Sequence, residues 1–583
     1  MLLRLVVISS ILPLFSLPGY SQEEKDPAAP KNQTEADPKL EQYYVANGAY
    51  NRKLYPVAIQ QYQAFLKDHP EHPKADLARR GLALSHYASK QYKEASGPLA
   101  ILLAKEQLDP AISRERLVMM QGQCLLITND KEQSKALYVS EIANLKTPAY
   151  LNAALASISD VSFSSGAWGE VIQWTTKLIA ANPAKSRAAR GHYQQGYAHY
   201  QLKAPQKAIE SLAKIEALGA DPVWTTRGLY LSGDCYNQLK KSEEAMQAFE
   251  KALPGLQGKD AIECRYRLGL TRFVLKQYEK SAEDLSAYLA ADAEGPHAAE
   301  AQLYLARTHL ERGDLETAGE KLSSLAAGQG KVAARGSLWY ARVYTRADPA
   351  DYDRASGILA TATEEHADST IINDLRFDLA NCLMARTNPD WEVALASLTL
   401  LSAEKSFGQQ GEVLSQISVC QQKLGKHEES LGSNNKFLAE HAEHRLVAEA
   451  RFMKAENLFV LGRRNEASKS YTEFLEAHPK HPNQLAATFR QAQIHHAEGR
   501  WAECLETSAA IAAANPEGPL YEQLPFMIGD SFFRQEKWEE AVKPLSEFLS
   551  GRVTESEGAI TVKSGPNVDT ALIQLAVCHD RGG

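Results

Sequence analysis

The chain has 583 residues, 23% of them charged and 44% hydrophobic, and its 64 Lys+Arg against 72 Asp+Glu give a net charge of −8. An acidic chain with no basic run longer than two residues, as at Lys240-Lys241 and Arg463-Arg464, lacks the electrostatic footprint of a nucleic-acid binder. No segment approaches 18 uninterrupted apolar residues, so no transmembrane helix is expected in the mature chain.

The N-terminus reads as an export signal. Met1-Leu-Leu-Arg4 is a short cationic start, Leu5 to Phe15 is apolar but broken by Pro13, and Gly19-Tyr-Ser21 sets small residues ahead of a cut before Gln22. That pattern predicts a cleaved signal peptide over 1–21, and with it export across the inner membrane to the periplasm or cell envelope. No Cys stands near the cut to carry a lipid. Residues 22–39 are polar, with Pro27, Pro30 and Pro38, and are expected to form a disordered linker.

From residue 40 a phrase recurs about every 37 residues: an aromatic or leucine followed three positions later by a small anchor that opens a helix. It reads Tyr55 to Ala58, Tyr92 to Ala95, Trp168 to Val171, Tyr278 to Ser281, Leu315 to Ala318, Tyr352 to Ala355, Trp391 to Ala394, Trp501 to Cys504 and Trp538 to Ala541. Weaker copies anchor at Ala136, Ala208, Ala245, Ser430 and Ala467. Twelve residues before each anchor stands a second column, including Ala46, Cys124, Gly196, Gly233, Gly269, Ala306, Cys382, Ala455 and Gly529, small in thirteen of fourteen cases. Small residues at a fixed position are what a helix needs where another helix backbone crosses it closely. Each unit is therefore an antiparallel helix pair, and the fold class is an all-α solenoid of about fourteen pairs plus a partial last unit, filling 40–583. Steps of 41 residues into Ala136 and 39 into Ala394, and a Gly- and Pro-bearing stretch from Ser550 to Asp569, predict looser joints near 128–134, 386–390 and 550–569. Ala571 to Gly583 matches a first helix, with Ala576 in the small column; a truncated fragment, or a partner that supplies the missing second helix, is the expectation there.

The pattern resembles tetratricopeptide (TPR) repeats. Leu229, Gly233, Tyr236 and Ala245 match the family's opening and later Ala, and Trp339 with Ala355 match it in part. The resemblance implies a right-handed superhelix whose first helices line a concave groove. The period exceeds the usual 34 by about three residues, which lie between units, as in Phe65 to Ala78 and Phe474 to Ala486. That variant is similar to bacterial envelope TPR proteins of the outer-membrane assembly lipoprotein and Tol-Pal-associated types, although the lipid-bearing Cys of the former is missing.

Chemistry-bearing motifs are sparse. Six of the seven cysteines fall in repeat columns and none forms C-x-x-C, which points to packing. His69 with His72, His441 with His444 and His478 with His481 sit in inter-unit turns flanked by proline in two of the three, a setting for capping rather than zinc, which wants three or four ligands. No H-E-x-x-H, G-x-S-x-G or phosphate-binding loop occurs, so no catalytic residue, metal or cofactor is assigned and the chain reads as no enzyme. The groove positions implied by the resemblance hold aromatic residues, most densely Tyr193, Tyr197, Tyr200, Tyr230, Tyr266 and Phe273. Those six are the candidate partner-binding site, since rings contribute contact area at low entropy cost. The expected function is an exported TPR scaffold for protein or peptide partners of the cell envelope, with no small-molecule substrate. The alternative is a regulatory or targeting part of a larger envelope enzyme or cell-wall-modifying system.

Overall fold

A computed structural model describes residues 38–219, 221–514, 524–556 and 559–582. The predicted signal peptide, 1–21, and all but the last two residues of the predicted linker lie outside them; Pro38–Leu40 is a 3-10 turn leading into the first helix, Glu41–Asn51. Among the described residues are 29 α-helices and one short two-stranded sheet, so the chain is an all-α repeat solenoid. None of the helices is long and apolar enough to cross a membrane. The chain divides into two compact units, 1–305 and 306–583.

Within each unit the helices alternate as the repeat predicts. The anchors are sealed: Ala58, Ala95, Val171, Ala208 and Ala245 in the first unit, and Ala318, Ala355, Ala394, Ala467, Cys504 and Ala541 in the second, have no exposed surface. Where the residue twelve back is glycine, at Gly196, Gly233, Gly269 and Gly529, it faces a bulky side chain from the second helix of the same pair, Leu212, Phe249, Leu285 and Leu545. At Gly233 an added Cβ would stand 2.5 Å from the Phe249 ring, so only glycine lets helices Pro222–Gln238 and Ser242–Ala252 cross at this separation. The turn inside a pair places one residue in the left-handed region, as at Lys53, Lys90, Lys203, Lys240 and Lys276 in the first unit and Gly425, Gly462 and Gly499 in the second. It closes helices by returning the next N–H to a carbonyl in the last turn.

In the third pair the register differs from the sequence reading by two residues. The anchor is Ser134, fully buried, and not Ala136, which is half-exposed; its crossing partner is Gly122, which faces Tyr138, and not Cys124. Ser134 Oγ donates to the Gly122 carbonyl at 2.8 Å, the bond that Ser281 makes to Gly269 and Ser430 to Ser418, each twelve residues back. With that correction the extra residues of this unit fall in 104–113, between helices Tyr92–Leu103 and Arg114–Ile127, while Asn129 forms an ordinary turn. At 386–390 the connection is longer, and Asp390 caps helix Trp391–Ala403 by accepting the Val393 N–H at 3.1 Å. The stretch 550–569 is not simply a loop: Val553–Ser556 pairs antiparallel with Ala559–Val562, Val553 opposite Val562. Adjacent β-branched residues, Val553 and Thr554 on one strand and Ile560 to Val562 on the other, favour extended backbone there.

The turn histidines have a capping role. His72, His444 and His481 each accept, at Nδ1, the backbone N–H two residues on, at 3.0, 3.3 and 3.1 Å, and each ring packs on the preceding Phe65, Phe437 or Phe474. The last helix, Val568–Arg581, packs on Trp538–Leu549, burying Ala571 and Cys578; Ala576 is exposed and Ile573 is 66% exposed.

Candidate functional site

The six predicted aromatic residues all lie in the first compact unit, on the first helices of three consecutive pairs, Lys185–Gln201, Pro222–Gln238 and Gly258–Val274. Residues three and four apart share a helix face, so Tyr193, Tyr197 and Tyr200 form one row. That row is not uniformly open. Tyr197 is 8% exposed, wedged against Phe163 and Trp168 at 5.1 and 5.6 Å between ring centroids. Tyr266 is 5% exposed; its ring stacks on His297 at 4.5 Å and its hydroxyl donates to Glu300 at 2.9 Å. Tyr193, Tyr200, Tyr230 and Phe273 are half-buried. Phe273 leans on Tyr278 and Tyr304, Tyr193 on Trp224 at 5.5 Å, and Tyr200 on Tyr197 at 6.4 Å. The open ring surface therefore belongs to Tyr193, Tyr200, Tyr230 and Phe273, with Tyr197 packed behind Tyr193 and Tyr200.

Sequence reasoning missed the polar groups that tie these helices together. Arg267 is the hub: its Nε donates to the Tyr230 hydroxyl at 3.0 Å, one Nη meets Asp234 at 2.8 Å and the other Glu263 at 3.1 Å. Asp234 is 4% exposed, and loss of water pushes its pKa up to about 6 despite the attraction of Arg267. Burial likewise raises the Tyr230 hydroxyl, and it pushes the Tyr193 hydroxyl up to about 12, an effect Arg227 opposes; both stay neutral donors at physiological pH.

This arrangement recurs. The residue after the crossing position in one pair meets the residue two before the crossing position in the next: Asp160 with Gln194 at 2.6 Å and Asp234 with Arg267 in the first unit, Glu456 with Arg490 at 3.0 Å and Asp530 with Gln574 in the second. The signal was in the sequence, an acid followed 33 or 34 residues later by Gln or Arg in three of the four cases and 44 later in the fourth, but it shows only once the small column has been aligned. Such bonds satisfy carboxylates that burial would otherwise make costly and fix the stagger between neighbouring first helices. Among the described residues no group of three or more His, Cys, Asp or Glu is placed to hold a metal.

Models of the tetratricopeptide repeat match residues 46–115, 266–333 and 452–519, and a second such model matches 226–253. The chain contains tetratricopeptide repeats. The remaining pairs carry the same buried anchors, so the helix-pair repeat continues between the matched segments. Solved structures similar to this chain include the TPR domain of P58(IPK), at 17% identity and a TM-score of 0.23 over 61% of this chain and 98% of that one. Another is the C-terminal part of a TPR repeat-containing protein from Cytophaga hutchinsonii, at 18% identity and a TM-score of 0.35 over 45% of this chain and 99% of that one. A third is Naa15/Naa10 bound to HypK-THB, at 11% identity and a TM-score of 0.31 over 93% and 96%. No curated protein matches the chain in sequence.

Proposed function

We infer that this chain is a non-catalytic scaffold that binds polypeptide partners through the first-helix face of its first compact unit, and that it does so in the bacterial cell envelope. The observation that carries the binding role is the face itself: Tyr193, Tyr200 and Tyr230 stand half-buried on helices whose stagger is fixed by Asp160, Gln194, Asp234 and Arg267. Rings held this way lose little side-chain freedom when a segment lies across them, and tyrosine adds a hydroxyl for the segment's backbone. Tetratricopeptide repeats are a scaffold for protein–protein interaction, which agrees with that chemistry. The envelope address rests on the sequence of residues 1–21, a cationic start followed by an apolar run and small residues before Gln22.

Replacing Tyr200 and Tyr230 together by Ala tests the binding role. Capture of crosslinked partners from envelope extract should fall by about thirtyfold, an effect of about 2 kcal/mol, with helicity unchanged. Capture equal to that of the natural chain would assign both rings to packing. N-terminal sequencing of the exported chain tests the address, with a start at Gln22 expected.

A further inference from the structure

We propose that the segment bound at this face is acidic, and that an aspartate or glutamate side chain of the partner sits against Arg227 beside Tyr193 and Trp224. This deepens the protein-binding reading given above and rests on it. The three side chains form one edge of the face. The Trp224 ring lies 5.5 Å from that of Tyr193, and the Arg227 guanidinium stands 5.5 Å from the Trp224 centroid. Arg227 is half-buried, and no carboxylate among the described residues lies within ion-pair distance of it. A guanidinium set on an indole keeps its N–H edge outward, where a planar carboxylate can engage two donors at once.

The neighbouring helix strengthens the charge argument. Arg187 and Arg190 lie one turn apart on Lys185–Gln201, and burial, with the charge of Arg190 beside it, lowers the pKa of Arg187 while Asp160 opposes that shift. Arg190 is held by Asp160 at 2.6 Å, and Gln194 occupies the same Asp160 oxygen. Asp260 and Arg227 both act on the Tyr193 hydroxyl, in opposite directions, yet Asp260 forms no ion pair with Arg227. Arg227, with no carboxylate at ion-pair distance among the described residues, therefore stands beside the most aromatic part of the face. A neutral segment would leave Arg227 partly dehydrated with no compensating partner, and a basic one would add repulsion. An acidic side chain removes both penalties, and the Tyr193 hydroxyl, held protonated, adds a donor.

The test uses the full chain and short synthetic peptides in matched pairs that differ only in carrying Asp and Glu or Asn and Gln. The natural chain should retain the acidic member about three- to fivefold more than the amide member, the range of a partly exposed ion pair, and the preference should shrink as salt is raised. In Arg227→Gln, checked by circular dichroism for unchanged helicity, the ratio should fall to about one. Equal retention of both peptides by the natural chain would overturn the acidic preference while leaving peptide binding standing. An acidic preference undiminished in Arg227→Gln would overturn its placement at this corner. Retention of neither peptide would overturn the binding reading beneath it and this proposal with it.

Discussion

One substitution made at two places should move stability in opposite directions. Gly233 and Gly432 both lie inside helices with ordinary helical backbone, Pro222–Gln238 and His427–Glu440. Replacing either by Ala removes the helix penalty of glycine, a gain of about 1 kcal/mol. At Gly432 nothing lies within 4 Å of the new methyl, so the gain should appear in full. At Gly233 the methyl would stand 2.5 to 2.7 Å from three atoms of the Phe249 ring, which is itself sealed and cannot swing away. Overpacking of that kind costs about 1–3 kcal/mol, so the net change should be a loss of up to about 2 kcal/mol. Because each repeat contacts chiefly its neighbours, the effect should be local. Hydrogen exchange read helix by helix is the suitable assay: opening of Pro222–Gln238 and Ser242–Ala252 should become easier in Gly233→Ala, and opening of His427–Glu440 harder in Gly432→Ala. Equal stabilisation at both sites would refute the reasoning that the small column marks close helix crossings.

Other outcomes follow from the polar and sulfur groups. The Asp234 carboxyl is raised by burial to about 6 from an ordinary value near 4, so the folded state holds its proton more tightly than the unfolded state. Its contribution to stability is complete below about pH 4 and is lost as pH rises through about 6, and Asp234→Asn should flatten that part of the curve in melts at pH 4.5 and pH 7.5. Arg267→Met should cost about 3–5 kcal/mol near neutral pH by leaving Asp234 buried without its partner, with a smaller loss at acid pH where Asp234 is protonated; an equal loss at both would contradict the pairing. All seven cysteines are buried and free, and burial pushes Cys124, Cys235, Cys264 and Cys382 up to about 12, so thiol reagents should find few in the native chain and seven after denaturation without reductant. Three or fewer reactive thiols in the denatured chain would mean disulfides.

Most of the fold was legible because helix crossing imposes a steric rule at two fixed positions, and steric rules survive in composition. The third pair shows where that legibility ends. Cys124 and Ala136 are small and twelve apart, as are Gly122 and Ser134, and only in the structure do burial of Ser134, the Tyr138 ring against Gly122 and the hydroxyl bond from Ser134 to the Gly122 carbonyl distinguish the two registers. The strand pair Val553–Ser556 with Ala559–Val562 escaped because each strand is four residues long, too short a β-branched run to stand out beside the glycines around it. At the site, spacing placed the six rings on one set of helices but could not say which were covered. Tyr197 lies under Phe163 and Trp168, and Tyr266 under His297, contacts made by neighbouring pairs and invisible in any one of them. Arg267 and Asp234 looked like ordinary surface charges until the pairing across 33 residues appeared.

The most direct test of the binding face is site-specific photocrosslinking in envelope extract. A photoreactive side chain at Tyr200, on the proposed face, should capture a polypeptide partner, whereas the same group at Glu210, exposed on helix Pro205–Ala217, should not. A partner captured equally from Glu210 and Tyr200, or from Glu210 alone, would contradict the assignment of binding to the first-helix face.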